Sequence, residues 1–259
     1  MTQVSYARLL LEYWGIAVED IPTSDREQKK EADFLASFGK VRVLIEEKTK
    51  EDEPNYLSTR AKELEQGGIH EETISLIRNE TLSGIIRDAA KQLRSSTDKP
   101  HDFRLMWFTA TGVNAQAKYE QFIATLYGRT YIVEQNAGGY RRCYYFRNSD
   151  FYRRATVVDG AVVAYLDGSS ITAKLCLNSL SPRYAALRQS SVLSLFSMPV
   201  EDPADLEARG TAFILDCDLN RKDEGPLLAY LEAKYKTRPL MTFNLGYTNA
   251  SMLLPKEEP

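Results

Sequence analysis

Asp33 and the run Glu46-Glu47-Lys48 are the residues whose types and spacing point most directly to chemistry. The run closes an apolar stretch, Val41-Arg42-Val43-Leu44-Ile45, which reads as a β-strand. Side chains alternate along a strand, so Glu46 and Lys48 share a face with Arg42 and Leu44, and Glu47 takes the other. A β-bulge would exchange the two glutamates. Asp33 opens the preceding stretch, Asp33-Phe34-Leu35, and Gly39-Lys40 supplies a turn between the two. Pairing of these stretches would bring two carboxylates and an ammonium to one point. Such a cluster suits metal-assisted phosphodiester cleavage: the carboxylates hold Mg²⁺ or Mn²⁺, and the ammonium offsets charge on the nucleophile or phosphate. The competing reading is a solvated strand end whose ion pairs are each worth under ~1 kcal/mol.

The surrounding sequence predicts the elements that would position these groups. Val4, Ala7, Leu10, Leu11 and Trp14 recur at helical spacing, so a helix is expected over 4–14, stopped by Gly15. A short strand at 16–18 and a polar loop over 19–31 lead to paired strands at 32–38 and 41–48. Residues 49–81 are dense in charge and hold Pro54, Gly67 and Gly68, which predicts an exposed insertion with a helix over 56–65. Ser83 is expected to cap a helix to about residue 96, with Ile85, Ile86, Ala89, Ala90 and Leu93 inward. The apolar run 105–109 reads as a buried strand, followed by a helix over 114–127 and a strand at 131–133.

Gly138-Gly139 suggests a boundary between a domain over 1–138 and another over 139–259. Beyond it, strands are expected at 142–146, 155–158, 161–166, 171–177, 212–217 and 242–245. Helices are expected at 182–196 and 226–235. Asp159-Gly160 and Asp167-Gly168 read as hairpin turns.

Composition narrows the chemistry. The chain has 259 residues and a net charge of −3, so nucleic acid would have to be met by a local patch. The three cysteines are widely spaced and read as reduced thiols, which together with the lack of a signal sequence or membrane span predicts a cytoplasmic protein. The two histidines, His70 and His101, sit in no zinc-like or triad-like setting. Neither glycine-rich nucleotide motif is present.

The order helix, strand, strand with Asp33, strand with Glu46-x-Lys48, helix, strand resembles the core of the PD-(D/E)XK nuclease superfamily over roughly residues 4–110. The resemblance implies an α/β fold: a restriction-endonuclease-like αβββαβ core with a mixed sheet, here followed by a C-terminal α+β region. It implies metal-dependent hydrolysis of DNA, as in restriction or phage defence. Asp33 and Glu46 would hold Mg²⁺ or Mn²⁺, joined by the backbone carbonyl of Glu47, and Lys48 would support the nucleophile. Glu12 on the first helix matches an acid some members add. Gln92 matches a glutamine on the helix after the triplet, where Lys91 and Arg94 could reach phosphate. Ala32 replaces the family's proline, which is not a ligand. Paired copies cutting two strands would make the chain a homodimer. The alternative is a nuclease fold without catalysis, serving as a DNA-binding or interaction subunit with a partner protein.

Residues 129–154 hold six arginines against Glu134 and Asp150, six minus two, a local +4 interleaved with aromatic residues. Arg141, Arg142 and Arg147 are the candidate DNA contacts. A structural role is the alternative: aromatics filling a core, cations paired with acids. Asp216, Asp218, Asn220 and Asp223 space like the start of a calcium loop. Arg221 stands where that loop requires glycine, so a strand end is the better reading.

Overall fold

A helix, α1 (Tyr6–Tyr13), is started by Ser5, whose hydroxyl accepts from the Arg8 N–H at 3.1 Å. It buries Ala7 and Leu11, and Gly15, at φ +73, turns the chain away from it. The computed structural model describes residues 4–21, 31–136, 139–243 and 246–252. After α1 come β1 (Ala17–Asp20), β2 (Phe34–Phe38) and β3 (Val41–Lys50), an antiparallel meander with Phe34 opposite Ile45. Most of the expected loop, residues 22–30, lies outside the described residues.

The insertion folds as α2 (Pro54–Glu65) and a strand not anticipated, β4 (His70–Ser75). The next helix, α3 (Glu80–Ser95), starts earlier than expected. Asn79, not Ser83, is its N-cap, accepting from the Leu82 N–H at 3.1 Å. Asn79→Ala is expected to cost about 1 kcal/mol of stability, read as a lower urea midpoint at unchanged slope. Ser83 is instead buried and accepts from Arg78.

Then β5 (Phe103–Ala110), α4 (Ala115–Tyr127), β6 (Thr130–Glu134), β7 (Tyr140–Tyr144) and α5 (Asp150–Arg153) follow. A hairpin, β8 (Gly160–Asp167) and β9 (Ser170–Leu177), precedes α6 (Tyr184–Arg188) and α7 (Ser191–Leu195). These last two replace the single helix expected over 182–196. Ser190 breaks it by capping α7 through the Val192 N–H. After these come β10 (Val200–Glu201), α8 (Pro203–Ala208), β11 (Ala212–Ile214), α9 (Glu224–Tyr235), β12 (Leu240–Phe243) and β13 (Tyr247–Met252). Of the strand expected at 242–245, residues 244 and 245 lie outside the described residues.

The fold is α/β. Its main sheet runs β1-β2-β3-β5-β8-β9-β10 and is mixed: β3, β5 and β8 are parallel, the other neighbours antiparallel except β9 and β10. One face, with Leu44, Met106 and Phe108, packs on Ile86 and Leu93 of α3 and Phe122 of α4. The other, with Val43, Ile45 and Trp107, packs on Ala7 and Leu11 of α1 and on Leu187 and Val192. Both faces are covered, which is why β5 is apolar without alternation.

A second sheet, β11-β7-β6-β12, encloses Ile132, Cys143 and Phe213 against Leu227 and Leu231 of α9. A ribbon of β4 and β13 is the third. The main sheet therefore runs across the expected boundary, since β8 pairs with β5. Gly138 lies outside the described residues, and β6 and β7, on either side of it, are paired. Asp167-Gly168 makes its hairpin turn, with Gly168 at φ +57. Asp159-Gly160 does not. Gly160 begins β8, and Asp159 is a fully buried carboxylate accepting from the Arg104 N–H at 2.8 Å and Arg183 Nε at 2.9 Å. Residues 155–157 are turn and 158 is irregular, so no strand forms there.

Candidate active site

Register places Asp33 beside Glu46, because it immediately precedes Phe34, the partner of Ile45. There β2 has not yet begun, and the outer edge of β3 has no strand partner among the described residues. Asp33 fills that edge: its Oδ2 accepts from the Glu47 N–H at 2.7 Å. In a strand the N–H and C=O of one residue lie on the same side. The Glu47 carbonyl therefore faces the edge that Asp33 occupies.

Alternation decides the rest. Glu46 falls on the Leu44 side of β3, beneath α3, and is completely buried. One of its oxygens, Oε1, takes the Lys48 ammonium. The other, Oε2, is buried without a hydrogen-bond partner. Burial, and then the charge of Asp33, push the Glu46 pKa up to about 8, against the downward pull of Lys48. Lys48 Nζ also donates to Gln92 Oε1 at 3.0 Å, and Gln92 Nε2 donates to the Glu31 carbonyl at 3.2 Å. Gln92 thus ties α3 to the segment carrying Asp33 and fixes where Lys48 can point.

Glu47 takes the opposite face and does different work. Its carboxylate accepts from the Ser5 hydroxyl and, at 2.9 Å, from the Ala7 N–H. It holds the start of α1 against the sheet, an acid at a helix N-terminus. Burial raises its pKa, opposed by these hydrogen bonds.

A cleft of about 480 Å³ opens over this end of the sheet, lined in part by Ser5, Arg8, Asp20, Asp33, Glu47 and Lys48. Arg8 escaped the reading of the sequence. Its only linear signal is its position one turn after Ser5, and folding pairs it with Asp20 and, at 3.3 Å, with Glu12. Glu12 itself is exposed and does not line the cleft.

The structure thus gathers Asp33, Glu46, Lys48 and Gln92 and leaves the other candidates apart. Lys91 and Arg94 lie on the exposed side of α3. Lys91 pairs with Asp88 at 3.1 Å, and Lys91 and Arg94 line a separate basic cleft with Arg87, Arg153 and Arg154. Arg141 sits on the second sheet with its guanidinium 5.1 Å from the Phe213 ring centre. Arg142, also on β7, bonds Tyr131, and Arg147 pairs with Glu224. Tyr144, Tyr145, Phe146 and Phe151 are fully buried, so these aromatics fill the core.

Among the described residues, no three His, Cys, Asp or Glu side chains form a group able to hold a metal ion. The donors at this site are two carboxylates and a backbone carbonyl. An all-oxygen set with one buried, unpartnered carboxylate oxygen fits a hard divalent cation completed by water. Among the same residues no helix is long and apolar enough to cross a membrane. No protein family, curated protein or solved structure matches the chain.

Proposed function

We propose that the chain is a metal-dependent nuclease of the PD-(D/E)XK type that hydrolyses phosphodiester bonds in DNA. The observation that carries this reading is the convergence of Asp33, Glu46 and Lys48 at one end of the sheet, with Glu46 Oε2 buried and unpartnered. The order α1-β1-β2-β3-α3-β5, interrupted only by α2 and β4 of the insertion and with α1 and α3 on opposite faces, supports the resemblance to that superfamily.

Asp33 and Glu46, with the Glu47 carbonyl, would hold Mg²⁺ or Mn²⁺. Such an ion, when bound, acidifies a water and neutralises phosphate charge. The protein's own groups supply position and charge. Burial holds Glu46 in one orientation, and Gln92 orients the Lys48 ammonium. That ammonium stands where it can favour a nucleophilic hydroxide and charge developing on phosphate oxygens. Glu46 must release its proton before it can bind a cation, so cation affinity rises with pH towards 8.

The test is nicking of supercoiled plasmid by purified protein with Mg²⁺, with Mn²⁺ and with EDTA. Cutting that needs the cation and disappears in Asp33→Ala upholds the reading. Cation-independent cutting, or none with a protein shown to be folded, overturns it. A folded protein that binds the plasmid without cutting favours the non-catalytic module.

A further inference from the structure

Four loops remote from the cleft converge their cations on one cavity. Arg78 comes from between β4 and α3, Arg129 from between α4 and β6, Arg147 from between β7 and α5. Arg221 and Lys222 come from between β11 and α9. With Ile77 and Asn148 they line a cavity of about 470 Å³ that has no acid among its lining residues. No linear motif marks it, because its parts are far apart in sequence.

The walls are held by backbone. Gly128, at φ +55, lets the segment after β7 pass so close that a Cβ there would lie 2.7 Å from the Arg147 carbonyl oxygen. The Arg147 N–H donates to the Gly128 carbonyl at 2.7 Å, and Arg78 Nε donates to the Asn148 carbonyl at 2.7 Å. The cavity is therefore built by packed loops and not by side chains alone.

Three of the arginines pair with acids that are not among the lining residues: Arg78 with Glu80, Arg129 with Glu120 and Arg147 with Glu224. Arg221 has none. It is only 9% exposed, and its guanidinium donates to the carbonyls of Leu215, Cys217 and Leu219. It lies 4.6 Å from the centre of the Tyr152 ring, and its Nε is buried without a partner. Lys222, next to it, is exposed and makes no ion pair among the described residues. A buried cation without a counter-charge is costly, and an anion in the cavity removes that cost.

We propose that this cavity binds a small molecule carrying clustered phosphate groups, a di- or triphosphate. Arginine forks match phosphate oxygens, and the volume lies in the range of small-ligand sites. Cations brought to one cavity from four loops fit charge gathered on one group. A nucleic-acid strand spreads its charge along its length and asks for an open track. The site is also separate from the cleft. Arg78 stands just before the first turn of α3 and Gln92 in its last turns, roughly 18 Å further along at 1.5 Å per residue.

Calorimetric titration of the full chain in EDTA tests this, with orthophosphate, inorganic tripolyphosphate, ATP and a single-stranded oligonucleotide as probes. Tripolyphosphate or ATP is expected to bind at one site at least about tenfold more tightly than orthophosphate, since several cations act on one ligand. Tighter binding of ATP identifies a nucleotide as the source of the phosphates, and equal binding identifies the oligophosphate itself. Lys222→Glu, at an exposed position, is expected to weaken binding at least about tenfold by reversing one charge beside the phosphates. Arg221→Gln is expected to weaken it further, with its folding checked by circular dichroism. No saturable binding of either oligophosphate overturns the proposal. So does unchanged affinity in Lys222→Glu, or binding of the oligonucleotide alone. Because no divalent cation is present, these outcomes stand apart from the success or failure of the nuclease reading.

Discussion

Lys48→Ala is expected to lower the single-turnover rate of DNA cleavage by at least about 10²-fold, the loss seen when one preorganised donor to a developing charge is removed. Two effects of Lys48 combine in that number, and they can be separated. Lys48 opposes the upward push of burial and Asp33 on the Glu46 pKa. Without it, Glu46 holds its proton to higher pH, and the cation binds less well near neutrality. The ammonium also keeps one hydrogen for the nucleophile or the phosphate, because Glu46 Oε1 takes one and Gln92 Oε1 another, the latter at 3.0 Å. Raising the pH to 9 with saturating Mg²⁺ restores the first effect and leaves the second. The variant is therefore expected to recover only part of its loss. Full recovery would show that Lys48 acts solely by ionising Glu46, and a parental rate at pH 7.5 would remove Lys48 from the site altogether. Gln92→Ala, which frees Lys48 without deleting it, should fall between the two proteins in rate.

The site's geometry was legible in the sequence because it follows from strand alternation and a tight turn. Gly39 adopts φ +66 between β2 and β3, and the register that follows sets Asp33 beside Glu46. Glu46 and Glu47 were separable for the same reason: one lies under α3, the other caps α1. β5 was legible because a strand covered on both faces needs no polar alternation. What escaped depends on partners far away in sequence. His70-Glu71-Glu72-Thr73-Ile74-Ser75 has no apolar face, yet it becomes β4 by pairing with β13 at the other end of the chain. Asp159 looked like a turn residue because Asp-Gly favours turns. Its burial is set by Arg104 and Arg183, which no local pattern announces. The arginines after residue 129 looked like one patch, but folding pairs several of them with acids and turns others towards different surfaces.

Glu46→Gln is expected to abolish cation-dependent cleavage and, in the metal-free protein, to flatten the dependence of stability on pH. The sign follows from the raised pKa. Glu46 titrates near 8 in the folded chain and near its ordinary 4.5 when unfolded. Between those values the native state keeps a proton that the unfolded chain has released. Stability is then highest below about pH 4.5 with respect to this group, falls as the pH climbs, and levels off above 8. Each unit is worth about 1.4 kcal/mol, and local relaxation around the buried carboxyl reduces the full span, so the fall is expected to be on the order of 3 kcal/mol. Urea denaturation in EDTA at pH 5.5, 7 and 8.5 measures it against Glu46→Gln, which keeps the shape of the side chain and carries no proton to lose. Added Mg²⁺ should restore the parent at pH 8.5, by about 2.7 kcal/mol at a hundredfold excess over its dissociation constant, and leave the variant unchanged. Parallel pH curves for the two proteins would mean that Glu46 does not carry the buried proton. Equal stabilisation of both by Mg²⁺ would place the cation elsewhere. The second result would separate the carboxylate pair from cation binding even if plasmid were still cut, so this measurement probes the donor set without relying on turnover.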